Sequence, residues 1–239
     1  MTKPTCRGET PKVIALGAEA ALIKHTFLGM PAVYKVRLPK PYRDPKLDLR
    51  LRSERTATEA KIIHDLRLAG LPVPALYYVS LSEGLIVMEY VEGDLLRDLI
   101  NRRAGRYADL VRELGRVIAL MHRLGVVHGD ITTSNVIVRE GTPYLIDFGV
   151  AKYSNELEDV GVDVHLFIRA VESTHYDVME EVITAFFKGY ASIAGEERVR
   201  EIKEKVREIR LRGRYVEERR QRRNEWIRKP ASNPCAYAE

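Results

Sequence analysis

Between residues 128 and 149 the chain sets out His128-Gly129-Asp130, then Asn135, then Asp147-Phe148-Gly149. That order restricts the fold, because each member suits a different job in moving a phosphoryl group. Asp130 can accept a hydroxyl proton or orient a water. Asn135, five residues later, and Asp147 offer hard oxygen ligands for Mg2+ bridging nucleotide phosphates. The flanking sequence agrees. Val126-Val127 leads into the run, and Val136 to Val138, a turn at Glu140-Gly141, and Tyr144 to Ile146 read as two short strands ending at Asp147. Either tripeptide alone fits an ordinary turn; the set, with strands between its parts, does not.

The order and spacing resemble the catalytic loop and magnesium-binding turn of a protein-kinase-like phosphotransferase. The expected fold is therefore α+β and two-lobed: a small antiparallel sheet with one helix (residues 1–90), a mainly helical second lobe (91–213) and a basic C-terminal tail (214–239). Upstream, Val13 to Leu16, Ala21 to Thr26 and Ala32 to Arg37 read as a three-strand meander. Lys35 falls in the third strand, where a kinase fold places the lysine that contacts the α- and β-phosphates. Its carboxylate partner should lie on the next helix, read from Ser53 as N-cap to Ala69, with Gly70 as its stop. Glu54 and Glu59 are both candidates, and at about 100° per residue only one can face inward. Glu59 shares the side of Ile62, Ile63 and Leu66, an apolar stripe expected to pack on the sheet, whereas Glu54 sits with Thr58, Lys61 and Asp65.

Leu85 to Met88 is a buried-strand run that turns abruptly into Glu89-Tyr90-Val91. This matches a hinge at which adenine would meet backbone groups of Glu89 and Val91, with Met88 at the back of the pocket. An amphipathic helix through Leu110, Leu114, Val117, Ile118 and Met121 then delivers the chain to the catalytic loop. In it, Met121 and His122 read as packing residues. A further helix begins near Val162, and its Asp163 is placed to hold the catalytic-loop backbone.

Several departures from a conventional protein kinase narrow the activity. The glycine-rich phosphate loop is reduced to Gly17-Ala18-Glu19-Ala20, so fewer amides can approach the phosphates and Glu19 adds negative charge beside them. Gly129 replaces the arginine that answers an activation-loop phosphate. Thr132 stands where many kinases place a lysine, and the stretch from Gly149 to Asp163 leaves no room for a peptide-docking segment.

The strings Gly17-Ala18-Glu19-Ala20, Pro39 to Pro45 with Leu47-Asp48, Arg55-Thr56 with Glu59-Ala60, His128 to Asn135, Ile146 to Gly149, Glu172-Ser173-Thr174-His175 and Arg210 to Arg214 together resemble one family closely. It is the small atypical kinase/ATPase subunit of the KEOPS complex, the p53-related protein kinase family, and the likeness covers residues 13 to 215. The resemblance implies ATP and Mg2+ as cofactors, serine/threonine autophosphorylation, and ATPase action within a complex that makes N6-threonylcarbamoyladenosine on tRNA. Expected partners are the threonylcarbamoyl-transferring subunit and other KEOPS subunits. Asp44 stands where the family more often has histidine. A small-molecule phosphotransferase of the aminoglycoside- or choline-kinase-like type, a RIO-type kinase (against which the intact Asp147-Phe148-Gly149 argues), and a non-catalytic scaffold are the alternatives.

Composition is that of a water-facing chain of 239 residues with 45% hydrophobic content, large enough for two lobes around two modest cores. It has neither a bilayer-length apolar run nor a signal-peptide pattern, which points to the cytoplasm and to no membrane partner. Cys6 and Cys235 offer no metal-ligand spacing. Charge is concentrated at the end: Arg198 to Lys229 holds 14 basic and 6 acidic side chains, including Arg219-Arg220-Gln221-Arg222-Arg223 and Trp226. This is either a solvated helix or a tRNA-backbone contact. Neutralising about five phosphates would give a log-log salt slope near −4.

Overall fold

The computed structural model describes residues 10–17 and 19–228, with side chains from residue 213 onward outside that description. The chain opens with strands β1 (Lys12–Leu16), β2 (Ala20–Phe27) and β3 (Met30–Arg37), followed by helix α1 (Pro45–Leu68), β4 (Leu76–Ser80) and β5 (Leu85–Glu89). These strands form one antiparallel sheet in the order β1-β2-β3-β5-β4. The expected meander is present, and its third strand is central: Lys35 pairs across to Leu22 on β2 and to Ile86 on β5. Alternation along β3 places Lys35 and Arg37 on one face, since strand side chains repeat every second residue.

Helix α1 starts eight residues before the expected Ser53. Asp44 is its N-cap, and the Asp44 carboxylate accepts from the amides of Lys46 and Leu47, both at 3.0 Å. Pro45 occupies the first turn, where its absent N–H costs nothing. The departure from histidine at Asp44 is thus a helix cap. Buried Asp48 next fixes the approach to the helix. It pairs with Arg52 at 2.8 Å and Arg43 at 3.5 Å and accepts from the Lys40 amide at 3.3 Å. Glu54, by contrast, lies on the exposed side near Arg50.

Beyond the hinge come β6 (Asp94–Leu95), α2 (Leu96–Asn101), α3 (Tyr107–Arg123) and β7 (Val126–Val127). A 3-10 turn (Thr133–Asn135) then leads to β8 (Val136–Arg139), β9 (Thr142–Leu145) and β10 (Lys152–Tyr153). Small sheets β6-β8-β9 and β10-β7 cradle the catalytic loop. The lobe is completed by α4 (Leu157–Thr174), α5 (Met179–Ala194) and α6 (Glu196–Arg228). Helix α6 runs through residue 213 without a break, so the backbone does not mark the expected boundary with the tail there. The tail's basic side chains lie outside the described residues.

Two cores are present, but they are very unequal. One large core runs from Ile62, Ile63 and Leu66 of α1 through Leu114 and Ile118 of α3 to Phe167, Phe186 and Tyr190, while a small cluster of Ala60, Ile86 and Met88 lies under the sheet. The apolar stripe of α1 therefore belongs chiefly to the helical lobe's core. Between α3 and α5 the backbones come close enough that a Cβ on Gly115 would lie 2.1 Å from the Phe186 carbonyl oxygen, and one on Gly189 1.8 Å from that of Arg112. Only glycine fits at either point.

Candidate active site

The ammonium of Lys35 bonds Glu59 Oε1 at 2.6 Å and Asp147 Oδ1 at 2.6 Å. Lys35 is 6% exposed and Glu59 1%, whereas the Asp147 side chain is 49% exposed and faces the cleft. Burial opposes ionisation of Asp147, but the nearby Lys35 charge, its hydrogen bond and the Gly149 amide outweigh it and hold the carboxyl below its usual range. Asp147 also adopts φ +63°, in the left-handed region that a side-chain-bearing residue enters only when surroundings enforce it. Gly149 leaves room beside it: a Cβ there would sit 3.1 Å from Asp147 Oδ1 and 3.2 Å from Lys35 Nζ, so both side chains would have to shift slightly.

The catalytic loop is fastened from beneath. Asp163 on α4 accepts from the backbone amides of His128 and Gly129, both at 2.7 Å, and its Oδ2 lies 3.1 Å from His122 Nε2. The other ring nitrogen of His122 meets the Tyr190 hydroxyl at 2.8 Å. Asp163 thus does what its position suggested, and His122 is a buried polar support. His128 is fully buried against the Phe148 ring, with Nε2 3.2 Å from the Ile146 carbonyl oxygen, and burial depresses its basicity. Gly129 has φ +79°, and a Cβ there would approach the Val150 carbonyl oxygen to 2.9 Å. The loop is shaped for glycine, so an arginine would not fit this backbone.

Above this support, the Asn135 amide donates to the Asp130 carbonyl oxygen and to Asp130 Oδ2, each at 2.9 Å. Asp130 itself lines the cleft. A cavity of about 350 Å³ is lined by Gly17, Glu19, Ala20, Lys35, Arg37, Asp130, Asp147 and Gly149. A narrower apolar slot of about 120 Å³ adjoins it, lined by Val33, Met88, Glu89, Val91, Ile137 and Ile146 among others. Of the expected residues, Gly17, Glu19, Ala20, Lys35, Met88, Glu89, Val91, Asp130 and Asp147 line these two adjoining spaces, Glu59 and Asn135 reach them only through Lys35 and Asp130, and Ala18 lies outside the described residues. At the hinge, the Glu89 amide donates to the Ala75 carbonyl at 2.8 Å and the carboxylate pairs with Arg139. Burial raises the Glu89 pKa, but Arg139 and the Ala75 amide more than reverse this. The Glu89 amide, one of the backbone groups expected to meet adenine, is thus engaged within the protein.

Two features were not foreseen. Arg37, 4% exposed, bonds Glu59 Oε2 at 2.6 Å, so Glu59 holds a cation on each oxygen. The period of a strand was the available signal: two residues past Lys35 shares its face. Glu19 is also not a bare charge. Arg55 on α1 donates to both its oxygens at 2.7 Å, and that hydrogen bond, opposed by burial and helped by the charges of Arg55 and Arg37, lowers its pKa.

Among the described residues no cluster of three or more His, Cys, Asp or Glu side chains could hold a metal alone. Asp147 and the Asn135 oxygen nonetheless form a donor set that fits Mg2+ arriving with nucleotide phosphates, because this ion is ordinarily held by one or two carboxylates plus phosphate and water oxygens. No helix among the described residues is long and apolar enough to cross a membrane.

Comparison with known proteins sets this site in a family. The RIO domain model matches residues 36–162. The intact Asp147-Phe148-Gly149 therefore does not separate the chain from RIO-type kinases, contrary to the sequence expectation. The KEOPS complex subunit Bud32 of Pyrococcus abyssi is 45% identical over 213 residues, which cover 86% of this chain and 97% of that protein. A probable serine/threonine-protein kinase BUD32 homolog of Archaeoglobus fulgidus is 40% identical over 77% of this chain and 89% of its own length. A probable bifunctional tRNA threonylcarbamoyladenosine biosynthesis protein of Methanothermobacter thermautotrophicus is 38% identical over 87% of this chain, which spans only 37% of that longer protein. Among solved structures, the Rio2 kinase–ADP/Mg2+–phosphoaspartate complex from Chaetomium thermophilum superposes with a TM-score of 0.57 at 18% identity, covering 84% of this chain and 70% of the other, a likeness of fold. With a kinase-like cleft, a RIO-domain match over more than half its length and a relative aligned almost end to end, this chain belongs to the Bud32 family.

Proposed function

We propose that this chain is an ATP-dependent serine/threonine kinase and ATPase that works in the cytoplasm as a KEOPS-type subunit supporting N6-threonylcarbamoyladenosine formation on tRNA. The observation that carries it is the buried Lys35–Glu59 pair, joined through Lys35 to Asp147 and facing Asp130 across one cavity. A scaffold has no chemical reason to bury and align these charges. Adenine fits the slot between Val33, Met88 and Ile146, and the phosphates extend into the polar cavity. Lys35 exchanges Asp147 for phosphate oxygens while Glu59 keeps it in place. Asp147 and Asn135 would then be available to hold Mg2+, which would supply charge neutralisation on the nucleotide phosphates. Asp130, steadied by Asn135 through Oδ2, orients a water or a serine/threonine hydroxyl in line with the γ-phosphorus. The new P–O bond forms as the bond to the β-phosphate oxygen breaks, ADP leaves, and the acceptor's proton passes to Asp130.

Water is the favoured acceptor within the complex. Residues 150–156 are all that connect Gly149 to α4, and part of that stretch is spent as β10 pairing with β7, so no peptide platform is built there. Relatives that carry this fold inside a longer bifunctional tRNA threonylcarbamoyladenosine biosynthesis protein support a threonylcarbamoyl-transferring subunit as partner. The basic residues near the C-terminus support tRNA as a further contact. The test follows γ-labelled ATP with the pure chain, then with the partner subunit and tRNA. Phosphate release that rises when both are added, with little label retained on protein, is expected. Label accumulating on a small molecule, or no turnover under any condition, would contradict the proposal.

A further inference from the structure

The reduced phosphate loop leaves a charge unanswered. Lys35 is the usual single protein cation at this end of such a cleft, yet here a second one is buried beside it. Arg37 lies on the same face of β3, lines the same cavity and is no more exposed than Lys35. Its Nη2 and the Lys35 Nζ converge next to Gly149, at 3.8 and 3.2 Å from the point where a Cβ on that residue would sit. Glu59 answers one guanidinium nitrogen at 2.6 Å, whereas the buried Nε has no hydrogen-bond partner among the described residues. Nε itself is shielded from solvent, so an anion in the cavity would meet the guanidinium through its Nη atoms and its charge. An internal anion already stands nearby. Glu19, on the phosphate loop, lies 3.9 Å from Arg37 Nη1, too far to bond it, and is drawn away by Arg55 at 2.7 Å.

We propose that Arg37 is a second phosphate-binding cation for the outer phosphates of the nucleotide, supplying the charge that the one-glycine loop cannot supply through amides, and that Glu19 competes with those phosphates for it. The proposal rests on the ATP-cleft reading above and adds a specificity to it: affinity that grows with phosphate number through Arg37. Arg55 restrains Glu19 and so sets how strongly the loop opposes nucleotide entry.

The experiment is calorimetric titration of the intact chain with AMP-PNP and with AMP, both with Mg2+. Arg37→Met should weaken AMP-PNP by about 10- to 100-fold, the loss of a charge-assisted contact, and leave AMP within about twofold. Glu19→Gln should tighten AMP-PNP several-fold and leave AMP unchanged. Equal weakening of AMP-PNP and AMP by Arg37→Met, or no change in either, would overturn the role. A Glu19→Gln protein that binds AMP-PNP more weakly would overturn the competition. If Arg37→Met does not fold, Arg37→Lys decides: it keeps a cation without the planar fork, so it should retain the preference for AMP-PNP over AMP at reduced strength, and loss of AMP-PNP and AMP binding alike would count against the proposal. Failure of the wild-type chain to bind AMP-PNP would instead remove the ATP-cleft reading itself.

Discussion

Glu59 is the residue on which the cleft's charges balance. One carboxylate, 1% exposed, holds two buried cations, Lys35 through Oε1 and Arg37 through Oε2. Removing one partner of a buried pair leaves the other charge uncompensated, at a cost of roughly 3–5 kcal/mol. Glu59→Ala should therefore lower stability by about that amount in urea unfolding, whereas Glu54→Ala, on the exposed face, should change it by less than about 0.5 kcal/mol. Equal effects would mean that Glu59 is not the inward carboxylate. Buried and half-buried histidines give a second residue-level expectation. Burial lowers the pKa of His128, His165 and His175 below the ordinary 6.5. The folded state thus binds fewer protons than the unfolded chain as pH falls through 6.5, and this stabilisation, complete above that pH, is lost on acidification. The melting temperature should drop between pH 7.5 and pH 5.5, before the low-pKa carboxylates Asp147 and Glu19 protonate. A melting temperature flat across that interval would show that these rings are not held neutral.

At the scale of elements, the contact between α3 and α5 is the tightest joint in the helical lobe. Gly115 and Gly189 each face a carbonyl of the opposite helix at a distance no Cβ tolerates. Gly189→Ala should push α5 off α3 and destabilise the fold by about 2–4 kcal/mol in thermal or urea unfolding, in spite of alanine's better helix propensity. A neutral or stabilising result would mean the helices are not in that register. This joint was not legible in the sequence, because a glycine inside an amphipathic pattern looks like a local weakness until the opposing backbone is seen. Much else was legible. Short strand-like runs between turn residues located β1, β2 and β3, a continuous apolar run located β5, and the face of α1 shared with Ile62 and Ile63 selected Glu59 over Glu54. Helix starts were less visible. Asp44-Pro45 is a cap followed by a first-turn proline, but the proline-rich stretch before it reads as loop. Helix α4 begins at Leu157 without a side-chain cap, so periodicity showed it only from Val162. Strand β4 went unread because Leu76 to Val79 is apolar or aromatic without polar alternation, even at the exposed Tyr78.

Across the whole molecule, α1 ties the lobes together. Its inner face joins the large core of the helical lobe, while its cap anchors the approach from the sheet and its Glu59 reaches the cleft. The hinge is fastened as well, since Glu89 binds Arg139 on β8 and the Ala75 amide before β4. Lys35 and Asp147 hold each other across the cleft at 2.6 Å. Single-turnover release of phosphate from γ-labelled ATP, comparing the wild-type chain with Asp147→Ala, tests the chemistry of this cleft most directly. A fall of at least about a hundredfold, with AMP still bound in the apolar slot, is the expected result. An unchanged rate in Asp147→Ala would place the chemistry elsewhere.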